Sequence, residues 1–392
     1  MTTGSRIYLD HNATSPLRPE AREAMFAALE CVGNASSVHL EGRKARGLLD
    51  AAREAVAELC GASSRDVVFT GGGTEANGLA LTAGLQVSGQ ATPITNCLIA
   101  SVEHVCVLEG HRFPSDRTSR LAVDASGIVR KDELEARLQA IAAEGGRALV
   151  AIQAANNETG ILQPIAELAQ IVHAYGGLLH CDAVQAAGKL SLDRVTAGAD
   201  MIALSAHKIG GPQGVGALVM RSGGISITDR MLRGGGQERG ARAGTENIAG
   251  IAGFGAAAKA VLGTLSIGSD AAGVLRDMAE AEVRKIAPDA MIFGSNVARL
   301  PNTLAFSVPG LTAEIALMGF DLGGVALSSG SACSSGKVKK SHVLEAMGLS
   351  NDIATGALRV SFGWTNARAD VDGFTSVLER VVRQMKTRPR AA

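Results

Sequence analysis

From residue 66 to residue 220 the chain alternates short apolar runs with amphipathic stretches. Short apolar runs bounded by turn formers read as buried strands, and apolar positions recurring every three or four residues read as helices. Strands are therefore expected at 66–69, 97–100, 148–153, 178–181, 201–204 and 215–220, after a first short strand at 7–10. Pro19 opens a helix over 19–30, and Leu48, Leu49, Ala52, Val56 and Leu59 share one face of another that Gly61 ends. This order predicts an α/β domain with a largely parallel sheet and helices on both faces. Polar residues follow strand after strand: Gly73-Thr74, His104, Asn157, Asp182 to Gln185, then Ser205, His207 and Lys208. The carboxyl edge of an open α/β sheet is where such folds bind ligands.

Beyond residue 248 the pattern changes. Helices at 249–262, 273–286, 312–321 and 369–386, with strands near 290–293, 303–308, 324–328 and 357–362, suggest a smaller α+β domain. The expected division is 16–258 for the large domain, and 1–15 with 259–392 for the small one. Between them, 231–247 is rich in glycine and alanine and reads either as a linker or as an arm entering a neighbouring subunit. Gln237, Glu238 and Arg242 favour the arm, because a linker needs no charged groups to pin its course.

Composition narrows the class. Of 392 residues 46% are hydrophobic but only 3% aromatic, so Ala, Leu, Val and Ile must fill the core. Thirty-eight basic and 38 acidic side chains balance, which removes the electrostatic reason to expect nucleic acid or an anionic membrane. No uninterrupted apolar run approaches the roughly 18 residues of a spanning helix. The first ten residues lack a signal-peptide pattern, and the six cysteines show neither CxxC nor zinc spacing. A cytoplasmic protein with free thiols and no resident metal is expected.

The sharpest chemistry lies at 199–211. Most lysines are solvated surface charges, but Lys208 leaves the end of a core strand beside Ser205 and His207, with Gly210-Gly211 allowing close approach. A half-buried ammonium loses its proton more readily, and the free amine forms Schiff bases with carbonyls such as pyridoxal phosphate. Asp182 either caps a turn or, in company with Lys208, keeps the cofactor's ring nitrogen protonated. His104 is either a satisfied core histidine or a proton shuttle on the ring face. Gly71-x-Gly73-x-x-Ala76 fits a loose dinucleotide fingerprint, yet no acid closes a strand about 20 residues on. A phosphate on the helix N-terminus, with Thr74 adding a hydroxyl, is the more economical reading. Residues 187–190 imitate a Walker loop, but Ala183 and Leu190 replace two required residues. Cys333 sits in a Gly/Ser stretch before Lys337, Lys339 and Lys340, where positive charge favours its thiolate.

Taken together, 102–104, 156–160, 180–185, 205–208, 242–245 and 328–333 resemble the NifS/IscS-type (group I) cysteine desulfurases of the class V aminotransferase family. The resemblance runs from Tyr8 to about Arg383. It implies the fold type I architecture of pyridoxal-phosphate enzymes, in a homodimer. It implies that Lys208 carries the cofactor, and that Gly73, Thr74, Ser205 and His207 hold its phosphate, with Thr245 reaching in from the other subunit. Asp182 pairs with the ring nitrogen, Gln185 with the ring oxygen, His104 stacks on the ring, and Asn157 lies beside both cofactor and substrate. Asn34, Asn157 and Arg359 bind the carboxylate of L-cysteine. Cys333 takes the sulfur and passes it to a scaffold or acceptor protein, meeting an iron–sulfur cluster only during transfer. Three departures stand out. Lys337 to Lys340 replaces a Leu-Glu-Pro run, Ala35 replaces a proline, and the chain stops soon after its last helix. Nitrogen-fixation or other specialised delivery is thus as compatible as general cluster assembly. A selenocysteine lyase, an aminotransferase and a non-catalytic assembly partner are the rival readings.

Overall fold

A computed structural model describes residues 6–221, 224–330 and 340–387. Its largest sheet has seven strands in the order Val67–Thr70, Gly216–Met220, Met201–Ser205, Leu178–Asp182, Arg147–Ala151, Ile94–Ala100, Thr118–Leu121. All neighbours are parallel except Gly216–Met220, which runs antiparallel to both of its partners. The three central strands are buried at every position, as continuous apolar runs covered on both faces should be. Thr118–Leu121, with the pattern Thr-Ser-Arg-Leu, closes one edge; its polarity hid it from a reading based on apolar runs.

A second sheet of four strands, Met291–Ile292, Thr303–Ser307, Ala357–Ser361 and Ser328–Ser329, is antiparallel. It has its own core of Leu304, Phe306, Phe320, Leu358 and Phe374, with the Phe320 and Phe374 rings stacked at 5.5 Å. The N-terminal strand Ile7–Tyr8 pairs with Val325–Ala326 on this side of the molecule.

The two helices expected at 249–262 and 273–286 form one continuous helix, Ile248–Ile286. Gly263 and Gly268 lie inside it; each costs only about 1 kcal/mol against alanine, too little to break a helix fixed by packing at both ends. Ile251, Phe254 and Val261 sit in the core of the large sheet, and Leu275, Ala279 and Val283 in that of the small one. This helix is long and apolar enough to cross a membrane by length and composition, which no single apolar run had suggested. Its apolar residues are nevertheless shared between two protein cores.

The first half of this helix lies so close to helix Leu40–Leu59 that a Cβ on Gly255 would stand 2.5 Å from the Ala52 Cα. Around Gly263 nothing lies within 4 Å of that position. The same substitution should therefore have opposite signs at the two sites. Gly255→Ala should destabilise by about 1–3 kcal/mol through overpacking. Gly263→Ala should stabilise by roughly 0.5–1 kcal/mol through backbone entropy. Urea midpoints measure both, and a Gly255→Ala midpoint at or above wild type would contradict the close crossing.

Candidate active site

Strand Met201–Ser205 hands the chain to a single 3-10 turn, Ala206–Lys208. Gly210 follows at φ +83°, where a Cβ would lie 2.6 Å from the Arg18 Cγ. Lys208 turns toward the N-terminal segment, where its Nζ donates to the carbonyls of Asn12 at 2.5 Å and Ala13 at 2.8 Å. Burial lowers its pKa from 10.5 to about 8, and nearby Arg359 adds to the effect against the pull of Asp10 and Asp182. The amine is available near neutrality. His207 Nδ1 lies 3.1 Å from the Thr14 hydroxyl, and burial drops its pKa to about 4.

Asp182 ends the neighbouring strand and is buried. Its Oδ1 accepts the Val184 N–H at 2.9 Å and its Oδ2 accepts from Asn77 Nδ2 at 2.8 Å. Burial raises its pKa, while these two donors, His104 and Lys208 oppose the rise. Asn77 has spent its amide on Asp182, so its Oδ1 must accept from His180 Nε2, 2.7 Å away. That sets the His180 tautomer, and burial holds this ring neutral with a pKa of about 3. His104 caps the short helix Val105–Leu108, its Nδ1 accepting the Cys106 N–H at 3.2 Å. Burial lowers its pKa too, so the ring is neutral with its proton on Nε2. The ring remains exposed on one side. Asp182, His104 and Lys208 are near enough to perturb one another's charge.

Helix Gly73–Ala80 starts at Gly72 with no side chain capping its free N–H groups. Thr74 is exposed on the first turn, and Ser205 lies close behind, its Cβ 3.4 Å from where a Gly73 side chain would begin. A Cβ on Gly216 would stand 2.5 Å from the Gly72 carbonyl carbon, so glycine is what lets this turn close against the sheet. An uncapped helix start, an exposed imidazole, an available amine and a buried carboxylate suit the phosphate, ring, aldehyde and ring nitrogen of pyridoxal phosphate. The residues fit that group. Gln185 Nε2 donates to the Asn12 carbonyl at 2.9 Å.

On the small-sheet side, Arg359 is buried and already paired. Its Nη2 meets Asp10 at 2.7 Å and its Nη1 the Asn157 carbonyl at 2.8 Å, while its Nε has no partner among the described residues. Ser328 donates to the second Asp10 oxygen at 2.8 Å. Cys333 falls in 331–339, outside the described residues, but both flanks of that segment are fixed beside the site. Gly330 donates to the Ala357 carbonyl at 3.0 Å, and a Cβ on it would stand 3.4 Å from Glu158 Oε2. Ser341 donates to that same oxygen at 2.5 Å, and His342 Nε2 lies 2.9 Å from the Glu103 carbonyl. Burial pushes Glu158 up to about 7.

Asn34 and Thr245 do not join this group within one chain. Asn34 is exposed, its side-chain oxygen accepting the Ser36 N–H at 2.8 Å and its carbonyl the Ser37 N–H at 2.9 Å. Thr245 lines a small cavity with Thr70, Gly71 and Arg242. The arm carrying it is pinned inside its own chain: Glu238 makes a buried two-pronged pair with Arg53 at 2.7 and 2.8 Å, and Arg242 meets Glu75 at 2.8 Å. Sequence reasoning missed Asn12, Asn77 and Glu103. Asn77 and Asp182 are 105 residues apart. No local pattern signals a partner at that distance.

The lowered Lys208 pKa predicts how cofactor-free protein recombines with pyridoxal phosphate. Only the neutral amine attacks, so the rate should rise with pH through about 8 and level off above 9. Stopped-flow absorbance measures this. A rate still climbing at pH 10 would mean that the lysine is solvated and unperturbed.

The class-V aminotransferase family matches residues 7–374 of the chain. A cysteine desulfurase of Cereibacter sphaeroides is 41% identical over an alignment of 398 residues, covering 97% of each protein. The solved structure of a NifS-like protein from Rickettsia africae superposes with a TM-score of 0.85 at 34% identity, covering 96% of this chain and 99% of that one. SspA in complex with cysteine gives a TM-score of 0.75 at 29% identity over 91% of this chain and 99% of the other. Matched by the family model over residues 7–374 and by a cysteine desulfurase at 41% identity along nearly the whole length, the chain belongs to the cysteine desulfurase branch of the class-V aminotransferase family.

Proposed function

We propose that this protein moves sulfur from L-cysteine onto Cys333 and hands it to an acceptor protein for iron–sulfur cluster or other sulfur-cofactor assembly. It is a pyridoxal-phosphate-dependent cysteine desulfurase. The observation that carries this reading is the mutual proximity of an available Lys208 amine, the Asp182 carboxylate and the neutral His104 ring. Pyridoxal phosphate, when bound, supplies an electron sink for the substrate's Cα electron pair.

The chain's own residues do the rest. Thr74, Ser205, His207 and the free N–H groups from Gly73 onward hold the phosphate. Asp182, whose burial-raised pKa is held back by the Val184 and Asn77 donors, would pair with the ring nitrogen. Lys208, with its pKa lowered to about 8, would serve as the base that takes the Cα proton. His104 can move a proton from Nε2 at the ring face. Arg359, with Asn157, receives the substrate carboxylate, a role that the unpartnered Nε can serve. The Cys333 thiolate then attacks the cysteine sulfur. A sulfur–sulfur bond forms, the carbon–sulfur bond breaks, and Cβ takes a proton. Thiol and cysteine become persulfide and alanine, with no external oxidant or reductant. SspA, a solved relative, holds cysteine. A cytoplasmic homodimer with Thr245 in trans, serving nitrogenase or general sulfur delivery, completes the proposal.

The decisive experiment compares wild type with Cys333→Ser. The variant should keep the bound cofactor's visible absorbance and its spectral change with cysteine, yet release neither sulfide nor more than a trace of alanine. Mass spectrometry of cysteine-treated wild type should place one extra sulfur on Cys333. Extra sulfur on Cys106 or Cys181 instead would refute the assignment. The role of Thr245 is tested in mixed dimers of wild type with Thr245→Ala/Lys208→Ala chains. The one site with a lysine should bind cofactor about ten- to a hundredfold more weakly, the cost of a lost hydrogen bond to a charged group. Wild-type affinity there would place Thr245 in its own subunit's site.

A further inference from the structure

Lys189 has no part in the chemistry above, and its Walker-like surroundings in the sequence do not hold a phosphate turn. It is 9% exposed and sits under the turn that follows strand Leu178–Asp182. Its Nζ donates to the Gln185 backbone carbonyl at 2.9 Å and to the Gln185 Oε1 at 3.0 Å. Burial and the charges of Lys208 and Arg359 push its pKa well down, but charged or neutral its N–H groups donate, so the Gln185 amide turns its oxygen toward Nζ. The amide nitrogen must then face the other way, and it donates to the Asn12 carbonyl at 2.9 Å. That same carbonyl receives Lys208 Nζ at 2.5 Å. Asn12 is itself fixed: its N–H donates to the Ser361 hydroxyl at 2.9 Å, its Nδ2 to Thr303 Oγ1 at 2.9 Å, and its Oδ1 accepts from Asn302 at 3.1 Å.

We propose that Lys189 is a positioning residue for Lys208: it locks the flip of the Gln185 amide and, through the Asn12 carbonyl, sets where the Lys208 amine rests. The inference rests on the reading of Lys208 as the cofactor lysine. A buried amine is retained at a cost, and a lysine that only filled space would leave its donors unpaired. Two donors here are spent on one residue, which is what fixing an orientation requires. The rest of its surroundings are mostly cationic. Lys189, His11, Arg18 and Lys208 line one cavity of about 350 Å³, between the N-terminal segment and the middle of helix Ile248–Ile286. Arg359 acts on Lys189 from the small sheet, and His207, Asp10 and Asp182 act on the same cluster. With no carboxylate bonded to Lys189 among the described residues, its role is set by the Gln185 contacts.

The test uses full-length Lys189→Met, Gln185→Ala and the double variant, each checked for folding by circular dichroism and thermal melting. Borohydride reduction of cofactor-loaded wild type, followed by mass spectrometry, first locates the labelled lysine. A label elsewhere than Lys208 removes the underlying reading. With the label on Lys208, Lys189→Met should recombine with pyridoxal phosphate about tenfold more slowly at saturating pH. Its recombination midpoint should also move above that of wild type, a readout that a purely structural role would not shift. In the Gln185→Ala background the same substitution should add nothing to the rate, because its effect passes through that amide. Wild-type rate and midpoint in Lys189→Met, or costs that multiply in the double variant, would overturn the proposal while leaving Lys208 in place. If Lys189→Met does not fold, Lys189→Gln substitutes for it, with the same outcomes expected.

Discussion

A carboxylate that ends a buried strand must find donors or give up its charge, and the site is arranged around meeting that demand for Asp182. Left alone in the interior it would take a proton, since an unpaired buried ion costs far more than a neutral acid. The donors come from two directions: the Val184 N–H in the turn that follows and Asn77 on helix Gly73–Ala80. His180, two residues before Asp182 on the same strand face, then holds the other end of the Asn77 amide. One side chain thus bolts the helix to the strand at two points. That helix also presents the uncapped N–H groups and Thr74. The charge on Asp182 and the placement of the phosphate cradle are consequences of a single bridge.

The N-terminal segment does for the two sheets what Asn77 does for strand and helix. Asp10 ties Arg359 and Ser328 together, Asn12 reaches Thr303, Asn302 and Ser361, and the Ser15 N–H donates to the His207 carbonyl at 2.9 Å. A few consecutive residues touch both the strand that carries Arg359 and the turn that carries Lys208. The flanks of the Cys333 segment close on the same region through Glu158. Substrate-side and cofactor-side groups are therefore set against one another by short polar contacts, with the hydrophobic cores of the two sheets lying on either side.

How much of this could be read in the sequence depended on the range of the forces involved. The strands at 178–182 and 201–205 were plain, because continuous burial leaves a continuous apolar run, and their polar ends marked Asp182 and Lys208. Strand Thr118–Leu121 was not, because an edge strand need not be apolar. The division of helix Ile248–Ile286 failed for a related reason: residues 263–272 carry glycines of low helix propensity, while the packing that overrides them lies in distant residues. Glu238 and Arg239 adopt φ +46° and +54°, a conformation that no local motif announced, and the pair with Arg53 across 185 residues holds Glu238 in it. Nothing local to Asn12 could show that its carbonyl would receive two donors.

The balanced charge of the whole chain conceals a marked local excess. Lys189, Lys208, Arg359 and Arg18 converge near the site, while His11 and His207 are driven to pKa values of about 4 and stay neutral. Asp10 and Asp182 oppose them, and Asp10 is already engaged by Arg359. A surplus of this kind is uncomfortable in a protein interior, and it is relieved in two ways. The lysines lower their affinity for protons, which makes Lys208 a usable amine. The remaining positive potential is met by whatever anions enter: a phosphate on the cofactor and a carboxylate on the substrate. The same crowding that activates the lysine therefore selects for ligands that carry negative charge, so nucleophile activation and anion recognition at this site have one electrostatic origin.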